Sequence, residues 1–232
     1  IIKHNGPYKS ISNVPSLIKS LKKDFNFKID KYSSLEGQIA NICDDIAYVS
    51  HDLEDGLRSK IIKIKDLINL PIINNFLQKF KNNRINDDKL LIYYLTNNLS
   101  NYFINDLVEN SKFNIIKNEI KTINDVINYG KQIIEMNDNT YKELIVIKKF
   151  LLQYMYNNNK ILDQYSLIDK QFRSLFDIYT NDPEKLPIKW QTQDYKTNQN
   201  VTDVIIATDV CDYIASMTDN YFEMKSNDLT SK

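Results

Sequence analysis

Residues 33–59, SSLEGQIANICDDIAYVSHDLEDGLRS, decide how this chain folds. Ser33 and Glu36 have the spacing of a capping box, and apolar residues then recur at steps of three and four. At roughly 100° per residue, with Asp44 set at zero, Leu35, Ile39, Ile42, Ile46, Val49 and Leu53 fall within about 40° of the opposite pole. Gly37, Asp44, Tyr48, His51 and Asp55 fall within about 40° of zero, and Asp45 and Asp52 lie on one flank. The pattern predicts a helix running to about Ile64, with one face in a core and a titratable stripe directly behind it. Gly37 on that stripe is expected to admit another backbone.

The same period extends in both directions. A short helix is expected in NVPSLIKSLKKDF, with Asn13 as cap, Pro15 in the first turn, and Leu17, Ile18, Leu21 and Phe25 on one face. Beyond Pro71 come a helix around Phe76–Phe80 and a long one from about Asp87 carrying Leu91, Leu95, Leu99, Tyr102 and Phe103. FNIIKN reads as a short strand or as helix, ahead of a helix that ends at Gly130. Leu144, Ile147, Leu151, Tyr154 and Met155 mark one further helix, and Leu162, Tyr165, Ile168, Phe172, Leu175 and Tyr179 another. A polar, proline-bearing loop follows, then one helix from about Val201 to Met224 and a frayed tail. The expected fold class is all-α, and no linker separates compositional halves, so residues 1–232 are expected to form a single helical domain.

Composition narrows the functions. Lysine plus arginine and aspartate plus glutamate each number 30, so no global field draws the molecule toward nucleic acid or an anionic membrane, and nucleic-acid binding has no support from charge. No apolar run reaches membrane-spanning length. Cys43 and Cys211 lie far apart within helical patterns, which suggests two buried thiols and a reducing, cytoplasmic setting. Gly-rich phosphate loops, zinc-type cysteine pairs and a nucleophile elbow are all absent from the sequence.

The stripe carries the chemistry. Residues 43–56 hold five acidic side chains and one of only two histidines in the chain. A charged helix face is most often simply solvated. Here the stripe lacks the lysines that balance acids elsewhere, as in KSLKKDF, and crowded carboxylates repel unless they share a cation. Oxygen-rich clusters suit hard divalent ions, although one helix alone cannot enclose one.

SSLEGQIANICDDIAYVSHDLEDGLRS resembles the helix of the deoxyguanosine triphosphate triphosphohydrolase family, a branch of the HD-domain phosphohydrolases. CDYIASMTDNYFEM at 211–224 is similar to that family's C-terminal helix, KHNGP at 3–7 to the sequence after its histidine-bearing helices, and FLLQYMYNNNKI followed by FRSLFDIYTNDPEKLP keeps its order and spacing. The resemblance covers nearly the whole chain as the C-terminal portion of a larger helical enzyme with an HD-domain-like bundle.

What it implies is hydrolysis of a deoxynucleoside triphosphate to deoxynucleoside and inorganic triphosphate at a divalent metal, Mg²⁺ or Mn²⁺ first among candidates, in a symmetric homo-oligomer. The family holds its metal with a histidine, a His-Asp doublet and a distant aspartate. Asp44 matches the aspartate, Tyr48 a residue lining phosphate and sugar, and Asp52 one near the sugar 3′-hydroxyl. His51 matches a catalytic proton carrier or orienting group, and His4 a residue bordering the substrate pocket. The His-Asp doublet is expected before KHNGP, so His51–Asp52 is a different pair, and these 232 residues alone are expected to be inactive. Gln153 stands where relatives carry arginine or glutamate, and Ser216 where they carry glycine. The alternative is a helical module without catalysis, serving oligomerisation or nucleic-acid binding.

Overall fold

The computed structural model describes residues 7–8, 10, 12, 14–21, 25, 28–81, 87–192, 195 and 202–230. It is all-α, with no strand among the described residues. Where composition suggests one domain, the chain divides into two compact units, residues 1–158 and 159–232.

The first unit holds α1 (Ser16–Leu21), α2 (Leu35–Arg58), α3 (Pro71–Lys81), α4 (Asp88–Lys117), α5 (Ile123–Tyr129) and α6 (Asp138–Leu151). The expected cap Asn13 of α1 lies outside the described residues, and Phe25 at its far end is exposed. Its core is made where α2 packs against α4 and α6, with α3 against α4. Ile42, Ile46, Val49, Leu53 and Leu57 of α2 are buried against Leu95, Leu99 and Phe103 of α4 and Leu144 and Ile147 of α6. Each such side chain removed from water contributes about 1.5–3 kcal/mol, which pins the rotation of α2 about its axis and therefore the direction of its opposite face.

Several boundaries differ from the pattern, each for a local reason. The N-cap of α2 is Ser34, whose hydroxyl accepts from the Gly37 N–H at 3.4 Å, one residue beyond the Ser33–Glu36 pairing. Ser33 instead turns inward, and a Cβ on Gly37 would lie 2.8 Å from its Cβ, so the close approach there comes from the chain entering the helix. Ile39, placed on the core face by angle, is exposed, while Leu35 before it packs against the core and Ile42 after it is buried there.

At its far end α2 stops at Arg58 rather than near Ile64. Lys60 takes a positive φ of 59°, and the Ile62 N–H returns to the Gly56 carbonyl at 2.9 Å. That return is possible because Gly56 has no Cβ; one would sit 2.5 Å from Ile62 Cδ1. FNIIKN is helix, the last part of α4, and α5 ends at Gly130 with φ 76°. After α6 a π-helical turn, Leu152–Tyr156, continues the chain.

The second unit holds α7 (Asn159–Asn181), α8 (Asp203–Ala215) and α9 (Asp219–Thr230). The single terminal helix expected from Val201 to Met224 is two helices, broken around Ser216–Thr218; Val201 itself lies outside the described residues. Ser216 caps α8, its hydroxyl donating to the Tyr213 carbonyl at 2.7 Å. The core mixes aliphatic side chains such as Leu175, Leu186 and Val210 with aromatic pairs: Tyr179 meets Tyr213 edge-on at 5.3 Å, and Phe172 stacks on Phe222 at 4.3 Å. Asp209, 3% exposed, accepts from Thr192 N–H at 2.9 Å, from the Thr192 hydroxyl at 2.8 Å and from the Tyr195 hydroxyl. These bonds tie the preceding loop to α8.

The thiols depart from expectation: Cys43 is partly buried and Cys211 exposed. Among the described residues no helix is long and apolar enough to cross a membrane.

Candidate functional site

The outer face of α2 presents the predicted stripe. Asp44, Tyr48, His51 and Asp55 are all exposed, Tyr48 to 60%, while Asp52 is half-buried on the flank. The core face fixes this orientation: when Ile42, Ile46, Val49 and Leu53 point inward, the residues half a turn away must point out. A hydrogen bond from the Ser100 hydroxyl to Ser50 Oγ, 2.8 Å, locks α2 to α4 at the same level. His4 lies outside the described residues.

Two neighbours come from elsewhere in the first unit. The Tyr156 hydroxyl, carried by the π-helical turn after α6, donates to the Asp52 carboxylate. Lys148 of α6 reaches Asp45 at 2.6 Å. The missing countercharge is therefore supplied from a distant part of the chain, and the acidic flank is not bare. Arg58 pairs with Glu54 one turn back at 2.7 Å, the ordinary role of an exposed arginine near a helix end. Gln153 is exposed on the same π-helical turn.

Asp52 is the titratable group on this face whose environment perturbs it most clearly. Burial pushes its carboxyl above the ordinary aspartate value, the charge of Asp55 adds to the rise, and His51 opposes it. A carboxyl held partly out of water, oriented by a phenol and next to an imidazole, is suited to exchanging hydrogen bonds with a hydroxyl ligand.

The metal expectation can be tested on the donors present. Among the described residues no three of histidine, cysteine, aspartate or glutamate converge in a way that would hold an ion. Asp44 offers one exposed carboxylate, which is a single ligand and not a site. Two concavities of this unit lie elsewhere, one lined by residues such as Leu35 and Ile123, the other by Leu70 and Val146.

Sequence reading overlooked Tyr156 and Lys148. Both sit on the predicted helix through Leu144 and Leu151, but nothing in their spacing shows that they meet α2. The signal available was Tyr156 within FLLQYMYNNNKI, where only order and spacing entered the reading.

Comparison with known proteins bears out the resemblance. A protein-family profile described as "Phosphohydrolase-associated domain" matches residues 134–227. The chain is 35% identical over its full 232 residues to a protein from Rickettsia bellii (strain RML369-C) named deoxyguanosinetriphosphate triphosphohydrolase-like, covering 59% of that protein. A protein of the same name from Rickettsia peacockii (strain Rustic) is 34% identical over 100% of the chain and 59% of its own length. One from Rickettsia typhi (strain ATCC VR-144 / Wilmington) is 33% identical over 99% and 58% respectively. The chain thus spans about three fifths of the length of the curated relatives it matches, and the fit is to a C-terminal portion.

Proposed function

We propose that this chain, homologous along its whole length to triphosphohydrolase-like proteins, forms the substrate-facing helical part of a metal-dependent deoxynucleoside triphosphate triphosphohydrolase. The observation that carries the reading is the outer face of α2, where Asp44, Tyr48, His51 and Asp52 stand together on a helix whose other side is locked in the core.

In this reading Asp44 gives one ligand to a divalent ion, Mg²⁺ or Mn²⁺, whose other donors come from polypeptide outside the described residues. When bound, such an ion acidifies water and polarises phosphate oxygens. The chain's own side chains bind and orient. The Tyr48 phenol and the Asp52 carboxylate hydrogen-bond sugar hydroxyls, and Tyr156 holds Asp52 in place for that contact. His51 carries a proton or orients a neighbour, and His4 borders the pocket. The 232 residues alone are inactive because Asp44 by itself cannot hold the ion.

A helical module without catalysis is the second reading; it draws on the exposure of Asp44 and on the lack of a three-donor cluster among the described residues. One experiment separates the two. In the complete gene product, Asp44→Ala is expected to lose metal and triphosphate release together, while Tyr48→Phe mainly weakens substrate use. Because Asp44 is exposed, its loss should leave the far-ultraviolet circular dichroism unchanged. Triphosphate release from dGTP with Mn²⁺ or Mg²⁺ at the unsubstituted rate by the alanine variant would overturn the metal assignment.

A further inference from the structure

Two contacts between helices border the outer face of α2 on one side. Lys148 Nζ of α6 lies 2.6 Å from Asp45, and the Tyr156 hydroxyl donates to Asp52. Asp45 and Asp52 are two turns of α2 apart, so both carboxylates look to the same flank, about 10 Å from one another along the axis. Lys148 and Tyr156 are one residue further apart, and in a plain α-helix that spacing overshoots two turns by about 80°. The π-helical turn removes the overshoot. There the Asn157 N–H returns to the Leu152 carbonyl at 3.0 Å, an i→i+5 bond that takes up the extra residue. Lys148 and Tyr156 thereby share one side of their helix, as Asp45 and Asp52 share one side of α2, and the two helices run in the same direction.

The two contacts differ in kind. Tyr156 and Asp52 meet at the end of the face read above as the sugar end. Lys148 brings a positive charge to the other end, beside Asp44 in sequence, where that reading puts the metal and the phosphates. We propose that Lys148 binds phosphate: it leaves Asp45 for the triphosphate of the substrate, and Asp45 holds it in readiness until then.

Charge gives the reason. This part of α2 carries Asp44, Asp45, Asp52 and Asp55, and a chain of phosphates is repelled by such a face unless cations stand between them. A divalent ion on Asp44 offsets part of that repulsion, and Lys148 offsets more from a separate element. Arg58 does not serve, being held by Glu54 at 2.7 Å near the far end of the helix. The exchange is also easy. The side chains of Lys148 and Asp45 are 36% and 37% exposed, and an ion pair so open to water is weak, whereas an ammonium group meets a multiply charged phosphate through strong, charge-assisted hydrogen bonds. The backbone of Lys148 is fixed by Ile147 and Leu151, both buried, while its flexible four-carbon stem leaves Nζ free to swing.

The assignment rests on the hydrolase reading of α2, and the experiment separates the two. In the complete gene product, hydrolysis of labelled dGTP is followed with Mn²⁺ in excess of all phosphate, using inorganic triphosphate and deoxyguanosine as product inhibitors. Lys148→Met is expected to weaken inhibition by triphosphate about 10-fold or more and to raise KM for dGTP alike, with kcat little changed and inhibition by deoxyguanosine unaltered. Lys148→Arg, which keeps the charge, is expected to retain most of the triphosphate inhibition. Adding Asp45→Asn to Lys148→Met is expected to leave the defect in place, whereas a lysine that served only to neutralise Asp45 would no longer be needed. Full triphosphate inhibition of Lys148→Met, or its recovery in the double variant, overturns the role of Lys148 while the hydrolase reading stands. An unsubstituted protein that hydrolyses no deoxynucleoside triphosphate overturns the hydrolase reading, and the role of Lys148 with it.

Discussion

Gln38 holds the start of α2 to the segment before α6, and removing its amide should be costly in a way that can be worked out. The residue is 3% exposed. Its Oε1 accepts the N–H of Ile133 at 2.8 Å and of Ile134 at 3.1 Å, and its Nε2 donates to the Ser33 carbonyl at 3.1 Å. Ile133 and Ile134 are themselves 0% and 4% exposed, so no water replaces the lost acceptor. In Gln38→Leu, a change of similar volume, two buried donors are orphaned at about 1–3 kcal/mol each, and the gain from an apolar side chain offsets about 1.5–3 kcal/mol. The expected net loss is about 1–3 kcal/mol. Because the chain has two units, the assay is residue-level hydrogen exchange together with urea denaturation. The Ile133 and Ile134 amides should exchange far faster in the variant, while amides of α8 keep their protection. A stability change below about 0.5 kcal/mol with both amides still protected would refute the reasoning.

Other expectations are independent of this one. Asp209→Ala should free the loop before α8 by stranding the Thr192 and Tyr195 donors, costing about 2–4 kcal/mol and speeding tryptic cleavage at Lys189. Burial pushes the Asp209 carboxyl up, but its hydrogen bonds with Tyr195 and Thr192 bring it below the ordinary 3.8. Its stabilisation is therefore present above that value and lost as the pH falls through the depressed one, seen as steeper acid unfolding of the second unit in wild type than in Asp209→Asn. Asp52 behaves oppositely: its carboxyl is raised by burial and by Asp55, so its contribution is present at low pH and lost as the pH rises through the raised value. Asp52→Asn should melt no lower than wild type at neutral pH, with the gap closing toward pH 3.

Much of the fold was legible because helical order is local. The recurrence of Ile42, Ile46, Val49 and Leu53 at three and four residues follows from backbone geometry alone, and it fixed both the core face of α2 and the identity of the opposite stripe. The family resemblance was legible for a similar reason, since residues 33–59 carry their pattern in consecutive positions. Boundaries were less so. The end of α2 depends on Ile62 folding back onto Gly56, and the break between α8 and α9 depends on how Ser216–Thr218 turn, neither of which alters hydrophobic period.

What only the tertiary structure decided are the contacts between elements far apart in sequence. Tyr156 lies 104 residues from Asp52, and Lys148 over a hundred from Asp45, yet both face α2 because the packing of α6 on α2 brings them there. Gln38 bonding Ile133, 95 residues on, is of the same kind. Exposure is likewise a property of the packed chain. The apolar repeat of α7 marks a shared helix face, but burial requires a facing surface, and the buried positions of α7 are Leu175 and Tyr179, with Phe172 stacked on Phe222 one turn earlier. A one-dimensional period specifies which side chains share a face; what that face touches is set by the arrangement of the other helices in space.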